Sequence, residues 1–593
     1  MAPQGFADKV AFVWRVADKL RGTFKQHEYG AIMLPLLVLR RMDAVLEPTK
    51  DAVLAAAANF PEPYNEGHDM VLKKTAKQRF YNTSPLTFVS MLSDDRNLAA
   101  QLSGYIRRLS PDAYRVMEAY NVDDKIQRMD RAGLLYQVLS DFADLDLRPS
   151  VVSNEAMGYI FEELLRKFNE MSNETAGEHY TPREVISLMV DLLLTGHTNA
   201  ELAANPKPVR TVYDPAAGTG GMLMGALEKI RERNPESIVH VYGQELNDET
   251  WAIAQSDLMM QDISPDQMAN GNSLTQDEFR LKQFDFILAN PPYGVDWKSY
   301  AAPIKDEHQK LGFSGRFGAG LPRVSDGSLL FLQHMLSKMK PDGSRVGIVL
   351  SGSPLFSGAA GSGESEIRRW ILENDWLEGI VALPDQMFYN TGISTYVWIL
   401  TNDKDEDAHG LVRLIDGRDS GTKMRKSLGD KRKELTPYAI AELVQIYGDA
   451  LGEDVDEKRA RVLPREAFGF QRITVERPQT DEDGNPVLKR GKPVVDASLR
   501  DQENVPLPAG FFDLDESERE PVLAETAEKH LAEEIHPYVP DAWIDHAKTK
   551  VGVEIPFTRQ FYVYEPPRPV EEIAGEIKEL EGEIQEWMAG LGL

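Results

Sequence analysis

VRTVYDPAAGTGG, residues 209–221, sets a short apolar burst directly before a glycine-rich turn, and MLMGALEKIRER (222–233) continues it with helical spacing. Strand, tight turn and helix in that order make one unit of a wound α/β sheet. The rhythm goes on through IVHVYGQEL (238–246), TWAIAQSDLMMQ (250–261), FDFILANPPY (284–293), SLLFLQHMLSKM (328–339), RVGIVLSG (345–352) and LEGIVALP (377–384). Short apolar strands alternating with helices predict a mainly parallel, doubly wound, Rossmann-like sheet. Such sheets bind ligands at the carboxyl ends of their strands, so the chemistry is sought in the loops that follow these bursts.

Outward from this centre the style of the sequence changes twice. Residues 8–147 carry apolar side chains at three- and four-residue spacing, as in VAFVWRVADKLRG and IMLPLLVLRRMDAVL, which predicts an N-terminal helical domain over 1–147. Pro35 inside the second run kinks a helix or starts one. The α/β domain is expected over 148–430, and 431–593 reads as a C-terminal extension. Within it VERPQTDEDGNPVLKRGKPVVD predicts a hairpin turning at Asp483-Gly484-Asn485. VEEIAGEIKELEGEIQEWMAGL places Ile573, Ile577, Leu580, Ile584 and Trp587 on one stripe after Pro566-Pro567-Arg568-Pro569, which reads as a partner-docking helix.

Composition limits the function classes. The 593 residues hold 66 Lys+Arg and 94 Asp+Glu, a formal charge of −28, and no cysteine. Disulfides, Cys-ligated metals and thiol nucleophiles are excluded. No run approaches the ~18 apolar residues of a membrane span, and the first residues lack the pattern of a signal peptide. A cytoplasmic protein is the expectation. Fifteen of the net negative charges fall in residues 501–593, which leaves room for local basic patches elsewhere.

Two motifs carry chemistry. Asp214-Pro215-Ala216-Ala217-Gly218-Thr219-Gly220-Gly221 is not a dinucleotide fingerprint, since Leu223 stands where the third glycine belongs, nor a phosphate loop, since it lacks GK[ST]. Glu245, at the end of the next strand, is placed to accept hydrogen bonds from ribose hydroxyls. Turn and carboxylate together point to a nucleoside cofactor. The second motif, Asn290-Pro291-Pro292-Tyr293, follows the strand FDFILA. An amino nitrogen conjugated to a ring is a poor nucleophile because its lone pair is delocalised. The Asn290 amide carbonyl and the Pro291 backbone carbonyl can both accept its hydrogens and favour a more tetrahedral nitrogen. The prolines stiffen the loop, and Tyr293 can stack on a planar acceptor. A nitrogen so arranged has its lone pair free to attack a methyl group, and the leaving group of such a transfer is a neutral thioether, so no metal is needed.

DPAAGTGG, Glu245 and NPPY, flanked by GEHYTPR (177–183), FYNTGIST (388–395) and LRDQENVPLP (499–508), resemble the modification subunit of type I restriction–modification systems, an adenine-N6 DNA methyltransferase. The resemblance runs from about residue 10 to 570 and implies a Rossmann-like methyltransferase sheet using S-adenosylmethionine. It implies that Tyr180, Thr181 and Pro182 close the methionine end of the cofactor, and that Asp214, Ala216, Gly218, Thr219 and Gly220 form the main turn. Glu245 holds the ribose, and Asn272-Ser273-Leu274 lies beside the cofactor adenine, with Asn272 where many relatives carry Asp. Asn290, Pro291, Pro292 and Tyr293 hold the target base, with Phe388 packing on its other face. The family also implies a separate specificity subunit that reads DNA and recruits two modification subunits, and a motor–nuclease subunit for restriction. The acidic C-terminal region, without a basic reading head, fits that division.

Other readings stay open at this stage: a protein glutamine-amide methyltransferase, which also uses NPPY, and a catalytically idle scaffold. A last expectation concerns 298–325, where Lys298, Lys305, Lys310, Arg316 and Arg323 face only Asp306 and Glu307. Its glycine-rich GFSGRFGAG (312–320) reads as a mobile loop that orders over DNA phosphates, with Arg316 and Arg323 as the contacts.

Overall fold

The protein is described as a computed structural model over residues 6–171, 181–196, 208–264, 267–389, 391–428, 430–452, 455–483, 485–562 and 569–590. Residues up to Ile555 form one compact unit and Pro556–Leu593 a second.

The first unit is built on a nine-stranded sheet. Its strands are β1 (Val209–Asp214), β2 (Ile238–Glu245), β3 (Met268–Asn270), β4 (Phe286–Ala289), β5 (Arg345–Ser351), β6 (Leu377–Ala382), β7 (Thr395–Thr401) and β8 (Leu411–Asp416). After a separate hairpin of β9 (Thr422–Leu428) and β10 (Lys431–Glu434), β11 (Ala460–Pro464) completes it. The order is β11-β8-β6-β7-β5-β4-β1-β2-β3. β1 pairs parallel with β2 and with β4, so the order reverses at β1. β7 runs antiparallel between β5 and β6, and β11 antiparallel on β8. The central strands are buried along nearly their whole length; near-continuous apolar runs are what a sheet covered on both faces requires. Because β11 belongs to this sheet, the α/β domain extends to Pro464, past the boundary expected at 430.

The expected N-terminal helices form, from Phe6–Lys19 to Leu135–Asp144, and Glu28–Leu46 runs through Pro35 as one helix. This region shares one apolar core with the sheet. The buried Arg41 guanidinium donates to the Val152 carbonyl (2.9 Å) and to Asn154 Oδ1 (2.7 Å), which ties the helices to the start of the helix Asn154–Met171. Arg115 lies over the Trp251 ring at 5.0 Å, and the Tyr120 hydroxyl meets Ser256 Oγ at 3.2 Å.

Residues 469–553 add a second sheet of β12 (Gly469–Glu476), β15 (Asp501–Pro506), β16 (Trp543–Ile544) and β17 (Lys550–Val553). Between them β13 (Leu488–Lys489) pairs with β14 (Lys492–Pro493). The tight hairpin turn is Arg490-Gly491, both at positive φ. A further bridge, Thr480 to Pro486, encloses the turn expected at 483–485, of which Gly484 lies outside the described residues. In the second unit Val570–Gly590 is a helix, and Ile577, Leu580, Ile584 and Trp587 are exposed. Among the described residues no helix is long and apolar enough to cross a membrane.

One buried polar network locks β5, β6 and β8. Glu378 accepts two hydrogen bonds from Arg345 (2.8 and 2.7 Å), one from Arg413 (3.0 Å) and one from the Tyr447 hydroxyl (2.8 Å). Removing the carboxylate strands two buried guanidinium groups, a loss of about 3–5 kcal/mol. Glu378→Gln is therefore expected to lower the thermal midpoint strongly, as read by calorimetry; an unchanged midpoint would show that the charge is not what holds these strands.

Candidate active site

Parallel pairing sends the ends of β1, β2 and β4 to one edge of the sheet, with Asp214 in register with Gly243 and Tyr213 with Ile287. Asp214, Glu245 and Asn290 therefore meet, although they are far apart in sequence. They open onto a cavity of ≈ 590 Å³, also lined by Thr181, Asn272 and Ser273. That volume lies in the range of small-molecule sites, ~300–1,000 Å³.

The turn after β1 takes its shape from Gly218 and Gly220, both at positive φ (55° and 84°), where a side chain is strained. Glu245 holds that turn from the neighbouring strand: its carboxylate accepts the backbone N–H of Gly218 (2.9 Å) and of Asn247 (2.8 Å). Two bonds use about half of the ~4 acceptor positions of a carboxylate, which leaves room for a pair of hydroxyls. Asp214 is 1 % exposed, and its Oδ1 accepts the Ala216 N–H (2.9 Å). Burial, with the nearby Glu245 charge adding to it, pushes its carboxyl up to about 8. Thr219 and Ala216 also line the cavity.

Beyond β3, the Ser273 hydroxyl donates to the Pro215 carbonyl (2.6 Å), and Asn272 Oδ1 accepts the Leu274 N–H (2.9 Å). Asn272 and Ser273 face the cavity, whereas Leu274 is buried in a small core with Trp297, Ile304, Phe317 and Leu330.

At the end of β4 the Asn290 amide is held from two sides. Its Nδ2 donates to Thr181 Oγ1 (3.0 Å), and its Oδ1 accepts the Tyr293 hydroxyl. Thr181, which sequence placed only at the cofactor's methionine end, thus fixes which way the amide faces. Pro182, buried, begins the helix Arg183–Leu193; Tyr180 lies outside the described residues. Pro292 lines the cavity and Pro291 is buried. Phe388 is 2 % exposed, and its ring meets that of Tyr293 edge-on, 6.0 Å between centroids. A base lying between the two rings would require them to part. Burial raises the Tyr293 phenol well above its ordinary range, so it stays a donor.

The segment 298–325 departs from its expectation. It contains the helix Ala301–Leu311 and buries Ile304 and Phe317 completely. Arg316 is not free to reach DNA. Its guanidinium pairs with Glu307 (2.7 Å) and donates to the carbonyls of Ser273 (2.8 Å) and Leu274 (2.9 Å) and to His334 Nδ1 (3.2 Å). Because an arginine only donates, that His334 nitrogen accepts. Its Nε2–H then faces the Tyr213 hydroxyl at 3.0 Å. Burial, first, and the Arg316 charge hold the imidazole well below its ordinary range, hence neutral. Nothing in SLLFLQHML distinguished this histidine from a core residue. Arg323 keeps half its side chain exposed and donates to Ser353 Oγ (2.6 Å).

A nine-stranded α/β sheet with an antiparallel β7, whose carboxyl edge unites a glycine turn, a strand-end carboxylate and NPPY, has the fold of a class I methyltransferase. Residues 152–466 match the N-6 DNA methylase family, and residues 10–142 match the HsdM N-terminal domain. The chain belongs to the N-6 DNA methylase family, and it is an adenine-specific DNA methyltransferase. It is 26% identical to the type I restriction enzyme MjaIX methylase subunit of Methanocaldococcus jannaschii, over 75% of this chain and 78% of that one. It is 30% identical to the HindI methylase subunit of Haemophilus influenzae, over 47% of this chain and 58% of the other. In fold it resembles the type I restriction–modification methyltransferase subunit of Streptococcus thermophilus, with a TM-score of 0.60 at 22% identity, covering 78% of this chain and 97% of that one.

Arg316→Ala leaves Glu307 unpaired and releases the carbonyls of Ser273 and Leu274. With 15% and 17% of the two side chains exposed, the loss is expected near the lower end of the ~3–5 kcal/mol of a buried pair. Faster deuterium uptake over 271–275 together with a lower thermal midpoint is the expected result; unchanged exchange there would show that the clamp does not hold the cavity wall.

Proposed function

We propose that this chain transfers a methyl group from S-adenosylmethionine to the N6 amino group of adenine in DNA, as the modification subunit of a type I restriction–modification complex. The observation that carries the roles of its residues is the Asn290 amide. Thr181 orients it, and it opens onto the same cavity as the β1 turn and Glu245.

The residues around the cavity suit the cofactor. Glu245 retains acceptor positions for a ribose diol, Gly218 presents bare backbone to the methionine end while Gly220 is buried away from the cavity and only shapes the turn, and Asp214 offers a carboxyl group that ionises most readily beside a cation. Bound there, S-adenosylmethionine supplies an electrophilic methyl group on a sulfonium, with a neutral thioether as leaving group. Asn290 Oδ1 and the Pro291 carbonyl accept the two hydrogens of the adenine amino group and localise its lone pair. In the structure the Tyr293 hydroxyl already donates to Asn290 Oδ1, as an incoming amino group would, so the acceptor is satisfied until the base displaces it. Tyr293 and Phe388 part to receive the ring.

A specificity subunit supplies the reading of DNA sequence, two modification subunits assemble on it, and a motor–nuclease subunit joins for restriction. The exposed apolar stripe of Val570–Gly590 docks the specificity subunit, since such a face gains by burial. Transfer of labelled methyl to DNA by the chain with and without that subunit tests the assignment; methylation of protein glutamine instead would refute it.

Asn290→Ala removes one of two acceptors. Turnover is expected to fall by roughly 10²–10³-fold, the scale of one lost transition-state hydrogen bond, with cofactor affinity little changed by calorimetry. Near-normal turnover would sink the role given to NPPY.

Asp214 gives a pH dependence of definite sign. Its carboxyl is raised in the folded protein to about 8, so the fold without cofactor loses stability as pH rises from the ordinary carboxylate range toward that value. A bound cation favours the ionised form, so cofactor binding releases a proton at lower pH. Affinity is expected to strengthen as pH rises to about 8 and then level, and Asp214→Asn to flatten the curve. A wild-type profile that is flat below that pH would overturn it.

A further inference from the structure

Residues 422–434, TKMRKSLGDKRKE, carry six basic side chains against two acidic ones in a chain of net charge −28. They form the β9–β10 hairpin, in which Lys433 lies directly opposite Lys423. Like charges facing each other across an antiparallel ladder are destabilising. Lys423, Arg425 and Arg432 are exposed. Among the described residues their charged groups have no hydrogen bond or ion pair, unlike Lys433, which is paired with Asp385.

The hairpin is fixed beside the target-base residues. The backbone N–H groups of Asp430 and Arg432 donate to the carbonyls of Tyr389 and Gln386, each at 2.9 Å. Lys431, 2 % exposed, pairs with Glu184 and donates to the Met387 carbonyl (3.1 Å). The segment 386–389 carries Phe388, which rests on Tyr293. Glu184 stands in the first turn of the helix Arg183–Leu193, just after Thr181, which holds Asn290. One buried ammonium thus anchors a basic hairpin to two chain segments that meet NPPY. The other basic stretch, 298–325, has its central arginine consumed by Glu307 and two carbonyls.

We propose that the β9–β10 hairpin grips the DNA backbone next to the extruded adenine, with Lys423, Arg425 and Arg432 contacting phosphates. The inference rests on the DNA-methylation reading above. Extruding a base costs unstacking energy and distorts the strand, and contacts to the flanking phosphates offset that cost. Phosphate contacts position the duplex without reading its sequence, which suits a subunit whose sequence choice is made by a partner. The exposed cations, the absence of side-chain partners for them among the described residues and the tether to Phe388 all favour a polyanion at this mouth.

The test is the variant Lys423→Gln/Arg425→Gln/Arg432→Gln, in the full chain assembled with its DNA-reading partner, titrated with duplex DNA across a salt series. A control, Lys489→Gln/Arg490→Gln/Lys492→Gln, removes the same charge from the exposed β13–β14 hairpin. The hairpin variant is expected to bind DNA more weakly, with a slope of log affinity against log salt shallower by up to ~2.7 for three lost phosphate contacts. Its cofactor affinity stays as in the parent, its thermal midpoint does not fall, since the repulsion between Lys423 and Lys433 is relieved, and the control keeps the parent slope. An unchanged slope in the hairpin variant, or an equal loss in the control, overturns the proposal. A parent complex that neither binds nor methylates DNA overturns the underlying reading; an active parent with an indifferent variant overturns the hairpin alone.

Discussion

Parallel pairing of β1 with both β2 and β4 is the constraint from which the site follows. It forces three strand ends to one edge, and Asp214 and Glu245, the last residues of β1 and β2, and Asn290, the first beyond β4, become neighbours without any contact between distant loops. Glu245 then makes the edge rigid: one carboxylate holds the N–H of Gly218 in the β1 turn and that of Asn247 after its own strand. A turn held from the adjacent strand takes its shape without a ligand. That preorganisation lowers the ordering cost of binding.

The NPPY side is held by a different logic. Asn290 has both ends of its amide engaged, through Thr181 and Tyr293, so its orientation is set before a base arrives. Thr181 and Glu184 precede β1 whereas Phe388 lies between β6 and β7, and Lys431 bridges these two segments. The NPPY loop is therefore supported by parts of the chain that meet only after the sheet closes.

The alternation of apolar bursts and helices exposed the sheet directly, because buried strands of a wound sheet must be continuously apolar. The N-terminal helices were legible from their spacing for the same reason. The end of the domain was not. β11 is an edge strand, ARVLP, with only partial burial, so its pattern carries little signal. The 298–325 stretch misled through its composition: glycines and cations read as a mobile phosphate reader, yet Phe317 and Ile304 bury it and Glu307 neutralises Arg316. Charge counted along a sequence does not reveal which cations are already paired.

The sequence by itself made the motifs legible, because a glycine turn, a strand-end acid and NPPY are short and each follows directly on a strand. Only the tertiary structure decided which side chains support them. The amide orientation set by Thr181, the neutral His334 under the Arg316 clamp and the basic hairpin tied to Phe388 each join residues distant in the chain. Such pairings depend on which loops share a sheet edge, and spacing along a sequence does not encode that.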